Sequence, residues 1–262
     1  MASVSIIVQG PLHPISLGNI GAYQQFGETV LSFWANDNLS LAEPFHQVRK
    51  IANPALDVRP FSNPQNLYYQ VVSTLAGLRA ATGDFCIKVR SDEYYGNLAP
   101  VISQLHATPQ KVVCDNIYFR KSWRMHMSDH LIAAERSLFI RCFELILQKL
   151  QTPGHIFAGV PPETLITSCF LQAMGVPVAD PVTYRWIGTG HPDMRPNSPE
   201  EKSLLQNHFE MMPIRNLKPF IAKILLPSPN HAEKTHVFVS REFPELVSIG
   251  GHTSVLNSLA EL

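Results

Sequence analysis

The segment between Asn63 and Gly83 constrains the fold of this chain more than any other. Leu67, Val71, Leu75 and Leu78 recur at three- and four-residue spacing through Ala81, which places them on one face of a helix. Asn63 followed by Pro64 is a favoured helix start, and Gly83 a favoured stop. On either side stand short apolar runs, Thr29–Trp34 and Phe85–Val89, that read as strands. Ser3–Gln9, closed by Gly10-Pro11, is a third such run, and Gln47–Ile51 a weaker one. A short helix over Leu17–Phe26 and a strand over Lys111–Asp115 fill out the first 115 residues. This alternation predicts an α/β fold, a mixed, mostly parallel sheet flanked by helices.

Beyond residue 115 the pattern loosens. Leu138–Leu150 and Pro162–Met174 read as helices, and Val176–Ile187 as one or two strands. Glu200–Glu210 and Leu217–Leu226 read as short helical stretches. No repeat, low-complexity segment or linker divides the chain. Residues 1–262 are therefore expected to form one domain, with a regular half over 1–115 and a more variable half over 116–262.

Charge narrows the choice of partner. Lys+Arg and Asp+Glu balance at 21 each, so the chain has no bulk attraction for nucleic acid or anionic lipid. No nucleic-acid partner is expected, and an anionic ligand must be held by local groups. Cys86, Cys114, Cys142 and Cys169 form no C-x-x-C pair and are expected as reduced structural thiols. The chain opens directly into an apolar strand without a basic leader, and no apolar run approaches the roughly 18 residues of a membrane span. A cytoplasmic location, extending to the inner face of the cytoplasmic membrane, is expected. Leu217–Leu226, apolar with Lys218 and Lys223, reads either as a packed C-terminal element or as a peripheral membrane contact.

The chemistry concentrates where the Phe85–Val89 run breaks into Arg90-Ser91-Asp92-Glu93. Charged groups there are costly in a core but useful at the rim of an α/β sheet, where such folds bind ligands. A guanidinium beside two carboxylates can hold a phosphate directly, through a divalent cation such as Mg2+ or Mn2+, or both. Gln9 and Gly10 end the first strand at the same rim, where a glycine either admits a ligand close to the backbone or simply makes a turn. Asn36 and Asp37, just past the second strand, either hydrogen-bond a base or ribose or form a plain polar loop. Gln70, Ser73 and Thr74 share a helix face distinct from the leucine and valine stripe. His126 and His130 have zinc-ligand spacing, but Met127 stands where H-E-x-x-H requires glutamate, so zinc is not expected. There is no G-x-S-x-G elbow, no G-x-x-x-x-G-K loop and no G-x-G-x-x-G after a strand, which weighs against hydrolase, NTPase and dehydrogenase chemistry.

Four segments carry a combined pattern: Ser5–Pro11 (SIIVQGP), Val30–Trp34 (VLSFW), Asn66–Leu78 (NLYYQVVSTLAGL) and Lys88–Asp92 (KVRSD). In this order and spacing they resemble the WavE family of lipopolysaccharide-synthesis proteins, which in turn resemble GT-A glycosyltransferases. The resemblance runs through residue 95, and more weakly through Ser128-Asp129-His130 and Pro162-Glu163. It implies a GT-A-like fold in which residues 1–115 bind a nucleotide-sugar donor and residues 116–262 shape the acceptor side. Gln9, Gly10, Asn36, Asp37, Gln70, Ser73, Thr74, Arg90 and Asp92 would line the donor site. Asp92 matches the last carboxylate of the family's acidic signature, the one that would touch a metal. Glu93 either adds a second metal ligand or points elsewhere. Arg90 stands where the first acidic residue is usual, so either Mg2+ or Mn2+ or Arg90 itself would neutralise the phosphates.

An inverting glycosyl transfer needs a carboxylate to take a proton from the acceptor hydroxyl. Asp129, with His130 beside it, and Glu163, after Pro161-Pro162 at a helix start, are the two candidates; a retaining transfer needs neither. Trp123, Trp186, Tyr94 and Tyr95 are candidates for stacking on sugar faces, with core packing as the alternative. The expected function is transfer of a sugar from a nucleotide-sugar to a glycan or lipid-linked glycan acceptor, in lipopolysaccharide core or related polysaccharide synthesis. One alternative is a catalytically inactive relative acting as scaffold or glycan-binding subunit. Another is a sugar nucleotidyltransferase, which would carry a glycine-rich loop with Arg or Lys after the first strand; Pro11–Gly21 contains neither cation.

Overall fold

A computed structural model describes residues 2–12, 20–57, 66–116, 124–152, 160–179, 197–217, 219–223 and 236–239, the last two segments by their backbone alone. The strands in chain order are β1 (Val4–Gln9), β2 (Glu28–Trp34), β3 (Arg49–Asn53), β4 (Phe85–Arg90), β5 (Glu93–Tyr95), β6 (Val112–Asp115), β7 (Ile132–Glu135), β8 (Phe209–Met212), β9 (Pro219–Lys223) and β10 (His236–Val239). The helices are α1 (Leu67–Ala80), α2 (Ala99–Ala107), α3 (Arg136–Gln151), α4 (Pro162–Ala173) and α5 (Pro199–His208).

Seven strands form the main sheet, in the order β3-β2-β1-β4-β7-β6-β8. β1 pairs in parallel with β2 and β4, as do β2 with β3 and β6 with β8. β7 alone runs against its neighbours β4 and β6. The central strands β1 and β4 are buried almost end to end, as strands covered by helices on both faces must be. Alternate side chains serve two cores. Ile7, Val30, Cys86 and Ile132 pack beneath α1, α3 and α4, whereas Ile6, Val8, Leu31, Ile87 and Val89 pack with Val101 and Leu105 of α2 on the opposite face.

The topology fixes where a ligand can enter. The chain lays down β1, β2 and β3 outward in one direction, then crosses through α1 to place β4 on the other side of β1. Strand order therefore reverses between β1 and β4, and the crevice beyond the carboxyl ends of such strands is the preferred binding place in open α/β sheets. Gln9 is the register partner of Arg90, so the ends of β1 and β4 lie side by side at that crevice. A small antiparallel sheet, β10-β9-β5, begins just beyond, with Glu93 opposite Ile221.

Several boundaries differ from the sequence expectation. Asn63 and Pro64 lie outside the described residues; α1 is described from Leu67, preceded by Asn66 at φ 65 without a side-chain cap bond. Residues 17–19 also lie outside, and Ile20–Gln25 is a 3-10 turn rather than an α-helix. β3 begins at Arg49, two residues after the predicted start. The stretch 217–226 is not helical where described: Pro219–Lys223 is a strand between β5 and β10. Pro219 lacks an N–H, which removes a donor from any helix there, and pairing with β5 supplies hydrogen bonds that an isolated short helix would lack. The predicted helix 200–210 ends at His208, because Phe209 enters register beside Val112 and extends the main sheet. Of the predicted strand 176–187, residues 176–179 carry no regular structure and the rest lie outside the described residues.

Candidate functional site at the switch point

Backbone bonds first tie the two strand ends together. The Ser91 amide donates to Gln9 O at 2.8 Å and the Gly10 amide to Ser32 O at 3.1 Å. The Ser91 hydroxyl donates to Pro11 O at 2.6 Å. Gly10 has φ +124, and a Cβ built on it would stand 2.6 Å from Ser91 Oγ. Both the backbone conformation and the close packing against Ser91 therefore require glycine at this position.

Arg90 and Asp92 form a partly exposed lip. Arg90 Nε and Nη2 donate to Asp92 Oδ1 and Oδ2 at 2.9 and 2.8 Å, a fork-on-fork pair. Their side chains remain 30% and 22% exposed. Arg90 Nε also lies 3.2 Å from Oε1 of Glu93, whose side chain is only 1% exposed. Burial pushes the Asp92 carboxyl up, but the bond and charge of Arg90 outweigh it and hold the group below the usual carboxylate range. Burial opposes the Arg90 charge, and the carboxylates of Asp92, Glu93 and Asp129 more than restore it.

Below this lip lies a buried polar network. Glu93 Oε1 meets His130 Nδ1, and Glu93 Oε2 accepts from Tyr95 Oη at 3.0 Å. Tyr95 Oη is also 2.8 Å from Asp115 Oδ2. These groups converge because β6 runs with β4 and ends at Asp115, while antiparallel β7 is entered from Asp129 and His130 at the same edge. Lys88 is fully buried on β4, its Nζ held by the carbonyls of Asp129 and His130. Burial lowers the Lys88 pKa, opposed by Asp129. For Asp129 the balance runs the other way: burial raises it, but Lys88, His130 and Arg90 hold it well below the usual range.

The other predicted residues fall into separate groups. Gln9 accepts from the Ser73 hydroxyl at 2.8 Å, and Gln70 Nε2 donates to Asp129 Oδ2 at 2.9 Å. Thus α1 does lie along the rim, but Ser73 and Gln70 are engaged with protein groups. Thr74 is fully buried, and its hydroxyl has no hydrogen-bond partner among the described residues. Asp37 Oδ2 accepts from the amides of Leu12 and Trp34 at 3.1 and 3.0 Å, so it joins the exits of β1 and β2. Asn36 is exposed in the turn beside it. Glu163, in the first turn of α4, stands 3.7 Å from His126 Nε2. Tyr94 packs on Tyr23 with ring centroids 5.4 Å apart, whereas Tyr95 is sealed in the core. Trp123 and Trp186 lie outside the described residues.

The donor set does not fit a divalent cation. Both Asp92 oxygens are taken by a guanidinium, and both Glu93 oxygens are committed to Arg90, His130 and Tyr95. Mg2+ and Mn2+ require several free oxygen donors around one point, and a fixed cation already occupies that point. Among the described residues no three His, Cys, Asp or Glu side chains are grouped to hold a metal.

Sequence reasoning passed over Lys88, Asp115 and the linking role of Tyr95. Each carried a signal: a lone lysine inside the apolar run FCIKV, and an aspartate closing KVVCD as Asp92 closes the strand before it.

No protein-family model and no curated protein matches the chain. Among solved structures it is similar to 4-diphosphocytidyl-2C-methyl-D-erythritol synthase from Anaerococcus prevotii, at 10% identity over 68% of this chain and 87% of that one, TM-score 0.43. It is similar also to the TarS 1–349 fragment from S. aureus in complex with UDP-GlcNAc, at 13% identity over 65% and 54%, TM-score 0.41. A third is glucosyl-3-phosphoglycerate synthase from Mycobacterium tuberculosis in complex with Mn2+, UDP and glucosyl-3-phosphoglycerate, at 12% identity over 68% and 82%, TM-score 0.38. The chain spans about half the length of the TarS fragment. At these scores the likeness carries no argument, and the functional case rests on the rim's own geometry. No helix among the described residues is long and apolar enough to cross a membrane.

Proposed function

We propose that this protein is a GT-A-type glycosyltransferase that binds a nucleotide-diphospho-sugar in the crevice between β1 and β4. One observation carries the proposal: an arginine whose side chain is 30% exposed stands at the carboxyl end of β4, at the point where strand order reverses. That is where an α/β sheet offers an open crevice, and a planar fork of N–H donors is suited to phosphate oxygens. Gly10 follows the end of β1 beside it and packs closely on Ser91. Residues 1–115 would hold the donor and 116–262 the acceptor.

Of the two candidate bases, Asp129 is buried, bonded to Gln70 and held ionised by its neighbours. Such a carboxylate is a weak proton acceptor, so its proposed role is to fix Gln70 on α1 and to balance the buried Lys88. Glu163, with its side chain 17% exposed, is the better acceptor-side base. The resemblance to WavE proteins supports a cell-surface glycan, lipopolysaccharide core or a related polysaccharide, as acceptor, built at the cytoplasmic face of the membrane.

Isothermal titration with UDP, GDP, CDP and their sugar conjugates tests the proposal. Binding of one nucleotide, with slow hydrolysis of its sugar conjugate in the absence of acceptor, is expected. Failure of every nucleotide to bind would defeat the assignment, while binding without hydrolysis would favour the scaffold alternative.

A further inference from the structure

Resting on the nucleotide-sugar assignment above, we infer that the diphosphate is neutralised by Arg90 alone, without a divalent cation, and that Asp92 is a displaceable placeholder for the phosphate. Three features of the rim lead there. Asp92 offers its two oxygens to Arg90 in the planar, two-bond geometry that a phosphate would adopt on the same guanidinium. The pair is partly exposed, at 30% and 22% of the side chains, so exchanging one anion for another requires no opening of the core. Arg90 is also held from beneath by Glu93, whose carboxylate is in turn fixed by His130 and Tyr95. When Asp92 swings away, Arg90 keeps a buried anionic anchor and stays in place.

The guanidinium has spare capacity as well. Nε and Nη2 are engaged by Asp92 and Glu93, while Nη1 has no partner among the described residues. A diphosphate arriving at the crevice would find two N–H donors on Nη1 at once and the Nη2 and Nε edge after displacing Asp92. A metal placed at Asp92 would instead face a fixed positive charge within hydrogen-bond distance of its only ligand, and like charges so close repel strongly at a half-buried site.

The two arrangements predict opposite signs for one substitution. If Asp92 ligated a metal, Asp92→Asn would abolish nucleotide binding. If Asp92 competes with the phosphate, the same change frees the guanidinium. Calorimetry on the full chain with UDP, GDP and CDP, in EDTA and in Mn2+, decides. The expected result is a Kd for the bound nucleotide that agrees within about threefold between the two conditions. In EDTA, Asp92→Asn should bind up to about tenfold tighter, because one charge-assisted competitor is gone. Arg90→Lys, which keeps the charge but loses the fork, should bind about tenfold weaker or worse. Binding that needs Mn2+, or a folded Asp92→Asn that no longer binds, overturns the inference and leaves the nucleotide-sugar assignment standing. No binding of any nucleotide in either condition removes that assignment, and this inference with it. Should Asp92→Asn fail to fold, the comparison of EDTA with Mn2+ on the unaltered protein is sufficient.

Discussion

Asp115→Asn should stabilise the protein at neutral pH and leave it little changed in mild acid. Asp115 closes β6 with no exposed surface. Tyr95 Oη lies 2.8 Å from Asp115 Oδ2 and 3.0 Å from Glu93 Oε2. A phenol has one proton to donate and here faces two carboxylate oxygens. A second proton on Asp115 resolves the conflict, since Asp115 then donates to Tyr95 and Tyr95 to Glu93. In keeping with this, burial pushes the Asp115 carboxyl up from 3.8 to about 6, against the opposing pull of His130 and Ser128. Between about pH 4 and pH 6 the folded protein thus holds a proton that the unfolded chain has released. Stability from this group is complete below that window and is lost as pH rises through 6. The shift of roughly two pH units corresponds to about 3 kcal/mol. Over pH 5 to 7.5, where the unfolded carboxyl is already ionised, its share is about 1.4 kcal/mol. Asparagine offers an amide N–H to donate to Tyr95 Oη in place of that proton, and it cannot ionise. Urea unfolding of both proteins at the two pH values should show the stability of the variant, relative to the unaltered protein, rising by about 1.4 kcal/mol from the lower to the higher. A relative stability that stays flat, or falls, would refute the assignment of the extra proton to Asp115.

Two further changes probe the supports of the rim. Lys88→Met leaves the buried Asp129 carboxylate without its principal counter-charge and should cost about 3–5 kcal/mol; adding Asp129→Asn should recover part of that loss in denaturant unfolding, and a double variant no better than the single one would mean that Lys88 acts through packing instead. Gly77 lets α1 settle on β1, and a Cβ there would collide with Ile7; Gly77→Ala should destabilise by about 1–3 kcal/mol, read as a lower urea midpoint, and an unchanged midpoint would show that α1 can lift without penalty.

The strand–helix alternation was legible because it is a local matter. The continuous apolar runs of β1 and β4, and the Leu67, Val71, Leu75, Leu78 stripe of α1, are written in neighbouring residues and survive in the fold with small shifts of boundary. Where the expectation failed, a distant partner decided. Pro219–Lys223 is a strand because β5 and β10 flank it, and Phe209–Met212 leaves the helix because β6 has an open edge beside it. Neither neighbour is near in sequence, so neither leaves a trace in local periodicity.

The candidate site divides in the same way. That the ends of β1 and β4 meet was readable, since Gln9-Gly10 and Arg90-Ser91-Asp92 each follow an apolar run with a sudden change of polarity, and parallel strands bring such ends to one edge. The electrostatics there were not. The amino-acid order places Asp92 and Glu93 side by side as equal carboxylates, yet one lies on the lip bound to Arg90 and the other is sealed against His130 and Tyr95. Residues that alternate along a strand point in opposite directions, and only the sheet and its covering helices determine which direction is solvent. The sequence by itself therefore determined which groups of the chain could do chemistry and at which end of the sheet. The packing of β6, β7 and α1 around β4 decided which of those groups are buried, which stay partly exposed, and which are spent on one another.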